Sequence, residues 1–227
     1  MTHILIADDH PLFRLALTQA LRAIAPDATL IEADSLAAAC AQLDARHDID
    51  LVLLDLHLPD SRGLMGLASL RAEHPAVAVA MISANEDPMV IRRALAFGAA
   101  GYIPKGASLD ELGTALRAVL NCEEYVPAQL HNAIGTSATS REDQQIAARL
   151  ASLTPQQFRV LSQVADGQLN KQIADKLGIQ ERTIKAHLSL IFQKLGVRNR
   201  TQASVMLRSL ELGDPTRIAI VDDDGEI

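Results

Sequence analysis

Nowhere in the 227 residues is there a run of about 18 consecutive apolar side chains, so no membrane-spanning helix and no membrane partner is expected. The first residues lead straight into a short apolar segment. They lack the basic start and small-residue cleavage site of a signal peptide, and none is predicted. Cysteine is scarce: Cys40 and Cys122 are the only two, and their spacing fits no metal-binding pattern. That argues against a disulfide-stapled scaffold and for reduced thiols in a cytoplasmic protein. There are no internal repeats, which excludes solenoid and propeller architectures. At this length, two domains of modest size are the natural expectation.

What is present is a rhythm. Apolar segments near residues 3–7, 28–33, 50–54, 77–82 and 100–103 alternate with helical patterns near 11–25, 35–46, 63–73, 86–97 and 108–121. Such alternation predicts a parallel sheet covered by helices on both faces. Pro11 and Pro88 fall in first helical turns, where a missing N–H costs little. The chemistry sits at the segment ends. Asp8 and Asp9 follow the first, Asp55 the third, Ser83 the fourth, and Lys105 the fifth. In open α/β sheets, ligands bind at the carboxyl ends of the strands, so these distant residues are gathered at one edge. Acids in loops also cap helices, but three of them at two adjacent strand ends repel one another unless a cation lies between them. A lysine and a hydroxyl can meet phosphoryl oxygens. The set fits capture of a phosphoryl group on an aspartate.

The acidic pair, the central aspartate, the Ser/Thr position and Tyr102-x-x-Lys105, in this order, resemble the receiver domain of two-component systems. In the second half, Asn170-Lys-Gln-Ile-Ala, Thr183-Ile-Lys-Ala-His-Leu and Lys194-Leu-Gly-Val-Arg-Asn-Arg-Thr-Gln-Ala resemble the LuxR-type helix-turn-helix domain. The whole chain thus resembles a response regulator of the NarL/FixJ group. The resemblance implies an α/β fold, a doubly wound five-stranded parallel sheet of the flavodoxin-like receiver type, followed by a small all-α helix-turn-helix domain. It implies a regulator rather than an enzyme. Asp55 is expected to accept the phosphoryl group from a sensor histidine kinase. Mg2+ is expected on Asp8, Asp9, Asp55 and the His57 backbone carbonyl. Lys105 would pair with the phosphoryl oxygens, Ser83 would turn toward them, and Tyr102 would swing inward as the switch. The alternative for Tyr102 is an exposed strand aromatic. Ala84 leaves room for the phosphoryl group, and His57 and Asn85 would flank the path of attacking water. Ile103-Pro104 is expected to be a cis peptide context.

The second half has its own physical logic. Residues 152–212 hold nine Lys/Arg against four acids, a net +5, which leaves −12 on the rest of a chain whose total is −7. A basic module on an acidic one suits a nucleic-acid binder under a separate sensing domain. Thr154-Pro155-Gln156-Gln157 reads as a helix start, Asn170 as the cap of a short helix, and Gly178 as the turn before a helix near 181–195. Ala174, Gly178 and Ile184 have helix-turn-helix spacing. Ile184, Leu188, Ile191 and Leu195 share a core face, leaving Arg182, Lys185, Ala186 and Ser189 to enter the major groove. Within the family, the positions of Lys185, Ala186 and Ser189 approach base edges. Lys171, Thr183, Lys194 and Arg200 are expected as phosphate or framework contacts. Gln180 stands where the family usually places a capping hydroxyl.

The expected organisation is a receiver at 1–122, a linker at 123–150 with a helical turn or two from Gln144, a DNA-binding domain at 151–213, and a disordered acidic tail at 214–227. The function expected is phosphorylation-controlled binding to double-stranded DNA as a homodimer. One alternative is a DNA-binding regulator whose receiver only docks or dimerises, independent of phosphate. The other, an aspartyl-phosphate enzyme such as a haloacid-dehalogenase-like phosphatase, calls for an aspartate where His57 stands.

Overall fold

The computed structural model describes residues 2–128 and 141–211. The disorder expected for 214–227 lies outside the described residues, as do residues 129–140 of the expected linker.

Five strands, β1 (His3–Ala7), β2 (Thr29–Ala33), β3 (Leu51–Asp55), β4 (Ala78–Ser83) and β5 (Gly101–Pro104), form one parallel sheet in the order β2-β1-β3-β4-β5. Every residue of β3 is buried, as suits a central strand covered on both faces. Strand order reverses at β1 and β3, and that switch point lies beneath Asp8, Asp9 and Asp55. Helices α1 (Pro11–Ile24) and α5 (Leu109–Leu120) cover the face made by Ile4, Ile6, Leu51, Leu53, Ile82 and Ile103. Helices α2 (Leu36–Ala45), α3 (Met65–Glu73) and α4 (Pro88–Ala96) cover the other, made by Leu5, Val52, Leu54 and Met81. Pro11 and Pro88 both begin their helices, as anticipated.

The structure corrects several expectations. No cis peptide bond occurs among the described residues, so Ile103–Pro104 is trans. Pro104 ends the last strand, opposite Ser83, where a missing N–H breaks little of the ladder. The expected linker contributes to the sheet: Tyr125 bridges Gly101 in parallel, and its carbonyl accepts the Tyr102 N–H at 2.9 Å. A Cβ on Gly101 would stand 3.1 Å from Tyr125 and Val119, so glycine is needed for that approach. The helix anticipated from Gln144 is longer, α6 (Arg141–Ala151).

Four further helices follow: α7 (Pro155–Ala165), α8 (Asn170–Leu177), α9 (Glu181–Leu195) and α10 (Arg200–Arg208). Thr154 and Gln157 form the expected capping box, with reciprocal bonds of 3.3 and 3.0 Å. Asn170 does not cap α8. Its side-chain oxygen faces Arg200, and Leu169 is the cap residue, its N–H satisfied by Gln172 at 2.7 Å. Gly178 takes the left-handed conformation that ends α8 and lets α9 turn away. Ile184, Leu188, Ile191 and Leu195 are buried as predicted.

The helical unit is docked on the α3–α4 side of the sheet. Arg159 of α7 pairs with Glu73 of α3 at 2.8 Å, and the Leu64 N–H donates to the Leu210 carbonyl at 2.9 Å. Arg93 of α4 donates to Asp143 of α6 at 3.1 Å and to the Ser209 carbonyl just beyond α10 at 2.7 Å. Both cysteines are free; burial pushes the Cys40 thiol up to about 12, which leaves it protonated and unreactive.

Candidate functional site

Asp8 and Asp9 leave the end of β1, and Asp55 is the last residue of β3. Asp8 and Asp55 are almost wholly buried, while Asp9 is about one-third exposed. The Arg14 guanidinium donates to the Asp8 carbonyl at 2.6 Å, and the His10 N–H donates to Asp8 Oδ1 at 2.8 Å, so the turn from β1 into α1 is fixed. Lys105 brings its ammonium 2.6 Å from Asp8 Oδ2 and 2.8 Å from Asp55 Oδ2, with its Nζ 4.7 Å from the Phe13 ring centroid. Burial alone would lower the Lys105 pKa, but the bonded carboxylates of Asp55 and Asp8 outweigh it and hold it above its ordinary value.

One ammonium faces three carboxylates, so the cluster retains excess negative charge. Ligand atoms from Asp8, Asp9, His10 and Asp55 lie within 4.8 Å of one another. Oxygen-rich, anionic and preformed, this donor set can hold a hard divalent cation. His57 is exposed two residues beyond Asp55.

Beside the cluster, Ser83 is buried, and its Oγ accepts the Asn85 N–H at 3.1 Å. Tyr102 is fully buried rather than an exposed strand aromatic, and its hydroxyl donates to the Asn85 carbonyl at 2.5 Å. Burial, with help from Asp55 and against a lowering contribution from Ser83, pushes the Tyr102 hydroxyl up to about 12. Asn85 Oδ1 in turn accepts the Asp87 N–H at 2.9 Å, and Asp87 caps α4 through the Met89 N–H at 2.8 Å. Ala84, directly after Ser83, is exposed.

On the helical unit, Arg182, Lys185, Ala186 and Ser189 of α9 are exposed on the face opposite its core residues. Lys185 pairs with Glu181 one turn earlier at 3.2 Å, and Ser189 Oγ donates to the Lys185 carbonyl at 3.1 Å. Lys171 is exposed and Thr183 half-buried. Lys194 and Arg200 are framework residues. Lys194 ties Ser152 O and Gln157 Oε1 at 2.7 and 2.8 Å, and Arg200 binds Asn170, Val164 O and Gln168 O. Gln180 begins α9 without a side-chain cap. Arg182, Lys185, Ala186 and Ser189 stay exposed with the α/β unit docked.

Residues 4–117 match the family described as the response regulator receiver domain, and residues 151–207 match the LuxR family of bacterial regulatory proteins. The glycerol metabolism activator of Pseudomonas putida is 39% identical over 89% of this chain and 93% of its own length. The nitrate/nitrite regulator NarL of Escherichia coli K12 is 31% identical, over 89% of this chain and 93% of its own. The chain is a response regulator. Among solved structures, a LuxR family DNA-binding response regulator from Silicibacter pomeroyi is 34% identical over 57% of this chain and 99% of that one, with TM-score 0.51. The RcsB–DNA complex shares the fold at 22% identity, with TM-score 0.56 over 92% of this chain and 98% of that one. The response regulator is a phosphorylation-controlled, DNA-binding regulator of transcription of the NarL/FixJ group, and its relatives are transcriptional regulators. No described helix is long and apolar enough to cross a membrane.

Three residues of the response regulator escaped sequence reasoning. Asp60, in the loop after Asp55, accepts the Leu36 and Ala37 N–H groups at 2.8 Å each and so clamps the start of α2. A lone loop acid gives no signal of such a distant partner. Arg93 is one of two adjacent arginines on an amphipathic helix, and nothing local distinguishes it. His10 was findable: an imidazole directly after an acidic pair stands at ligand reach of whatever the pair holds.

Proposed function

We propose that this response regulator accepts a phosphoryl group on Asp55 from a sensor histidine kinase and binds duplex DNA as a homodimer through α9. The observation that carries the reading is the meeting of Asp8, Asp9, Asp55 and the Lys105 ammonium at the switch point of the sheet. Asp55 attacks phosphorus, a new P–O bond forms, and the bond to the donor imidazole breaks. Lys105 stands where its ammonium meets the new phosphoryl oxygens as a point charge. Asp8, Asp9, Asp55 and the His57 carbonyl are the groups that would hold Mg2+, which when bound offsets the charge of the phosphoryl oxygens. The reaction belongs to the cytoplasm, where the kinase's catalytic part works.

The Ser83 hydroxyl is the group that responds. Turning toward the phosphoryl group takes it from the Asn85 N–H, and Asn85 also holds Tyr102 and the start of α4. The inward position of Tyr102 thus depends on the same short loop, and the far end of α4 reaches the helical unit through Arg93. On DNA, Arg182, Lys185, Ala186 and Ser189 enter the major groove, with Lys185, Ala186 and Ser189 facing base edges, while Thr183 and Lys171 lie toward the backbone. Two half-sites about one helical turn apart suit a pair of α9 helices. The domain plan is a receiver at 1–122 and a DNA-binding domain at 151–213, joined by 123–150.

The test is DNA binding and sedimentation with Mg2+, with and without beryllofluoride, comparing wild type with Asp55→Ala. Tighter binding and dimer formation in wild type alone support the reading. Equal binding in all four samples overturns it in favour of a receiver that only docks.

A further inference from the structure

We propose that His10 is a nitrogen ligand of the divalent-cation site, so that the site favours first-row transition ions over Mg2+ more than carboxylates alone would. This rests on the reading that Asp8, Asp9 and Asp55 hold a cation. His10 Nδ1 lies 2.7 Å from Asp9 Oδ1, 3.2 Å from Asp8 Oδ1 and 4.0 Å from Asp55 Oδ2. In an octahedron with bonds of about 2.1 Å, adjacent ligands stand about 3.0 Å apart and opposite ones about 4.2 Å. Nδ1 therefore has the separations of a ligand adjacent to Asp8 and Asp9 and opposite Asp55.

The backbone delivers the ring there. His10 is the residue before Pro11 at the start of α1, in extended conformation, and its side chain makes no capping bond. Its own N–H is tied to Asp8 Oδ1, which points its Cβ back toward the acids. The ring is mostly exposed on its other side and fills no core position. Lys105 approaches Asp8 through Oδ2, whereas His10 faces Oδ1, so the ring and the ammonium meet different oxygens of that carboxylate, while Asp55 Oδ2 is shared, 2.8 Å from the ammonium and 4.0 Å from the ring. Imidazole suits ions such as Ni2+ and Zn2+, while carboxylate and carbonyl oxygens suit Mg2+ and Mn2+, so the added nitrogen shifts the balance toward the later first-row ions.

A plain ion pair between imidazole and Asp9 would show the same distances without a cation. Direct bonding is what separates the two. Mn2+ is added to the full chain, and pulsed electron paramagnetic resonance reads coupling to directly bound 14N. Affinities for Mg2+, Mn2+ and Co2+ are measured alongside by competition. The expected result is 14N coupling in wild type that persists in His57→Gln and disappears in His10→Gln. His10→Gln still binds Mn2+, but its preference for Co2+ over Mg2+ falls by about tenfold or more. Mn2+ bound without 14N coupling, or with coupling and ion preference unchanged in His10→Gln, overturns the proposal and leaves the acid site standing. Binding in Asp8→Asn equal to wild type would instead overturn the cation site beneath it.

Discussion

Replacing Lys105 by methionine removes the one ammonium that offsets three carboxylates at the centre of the receiver. The side chains of Asp8 and Asp55 are 0% and 2% exposed, and Lys105 sits 2.6 and 2.8 Å from them. Removing one partner of a buried ion pair costs about 3–5 kcal/mol, because a desolvated charge is left behind. Lys105 keeps some contact with solvent, which places the expected loss near the lower end, about 3 kcal/mol in chelator. Divalent cation should return much of it, since the cation substitutes for the missing charge. Mg2+ stabilises both proteins, so at saturation the deficit shrinks by RT ln of the ratio of their dissociation constants, and a variant that binds about tenfold more tightly recovers about 1.4 kcal/mol. Urea unfolding followed by far-UV circular dichroism suits a chain with no tryptophan. The Lys105→Met deficit should shrink by at least half between chelator and saturating Mg2+. The Lys105 pKa is held above its ordinary value. Its contribution to stability is thus complete below the unfolded pKa of about 10.5 and lost only as pH rises through the higher folded value, so the deficit should be flat from pH 6 to 9. A loss below about 1 kcal/mol in chelator, or one that Mg2+ leaves unchanged, would refute the charge-balance argument.

Tyr102 is one of two tyrosines, and its hydroxyl is pushed up to about 12, so absorbance at 295 nm should show a late ionising phase that Tyr102→Phe removes. The sign follows from linkage: folding disfavours the tyrosinate, so this contribution to stability is present below about pH 10 and lost as pH climbs toward 12; both tyrosines ionising near 10 in the folded protein would contradict the burial. Gln180→Ser supplies the missing cap of α9 and should stabilise the helical unit by about 1 kcal/mol, read as a raised melting midpoint; no change would mean that the Gln180 site cannot seat a capping hydroxyl. Arg93→Ala removes bonds to both α6 and the end of α10, each charge-assisted bond contributing about 1.5–3 kcal/mol at most, and should open the domain pair at least tenfold more often; spin labels on α3 and α7 would report longer distances, and an unchanged distribution would show that Arg93 does not hold the interface.

Much of this was legible in the sequence because it rests on period and punctuation. The buried run Leu51–Asp55 and the alternation around it could hardly pack otherwise than as central strands, and the carboxyl-end rule then brings Asp8, Asp55, Ser83 and Lys105 together without any further information. The box at Thr154 and the core face of α9 were legible for the same reason: each is set within one or two turns. What was not legible depends on partners remote in the chain. Asp60 on α2, Tyr125 on Gly101, and Arg200 against the carbonyls of Val164 and Gln168 are contacts of tertiary geometry. Asn170 misled because an amide before an apolar stretch usually caps, and here Arg200 claims its oxygen.

The docked arrangement also constrains how a signal can travel. Arg182, Lys185, Ala186 and Ser189 are exposed while the two units touch, so on the proposed reading, in which they meet DNA, uncovering them is not what the receiver has to accomplish. On that reading, position is what is left for it to control. Helix α4 spans nine residues, about 13 Å, a length over which a helix moves as a rigid rod. Its first turn is tied through Asp87 and Asn85 to Ser83 and Tyr102, and Arg93 in its last turn is tied to α6 and to the residue after α10. On the proposed switch, a hydroxyl that leaves the Asn85 N–H would loosen one end of that rod, and the other end would carry the DNA-binding unit with it. If two copies bind as proposed, their α9 helices meet half-sites about 34 Å apart, and a displacement of a few ångströms in each copy would decide whether both can seat at once. On this reading the regulated quantity is the spacing of two open faces, and a single half-site should feel phosphorylation far less than a paired one.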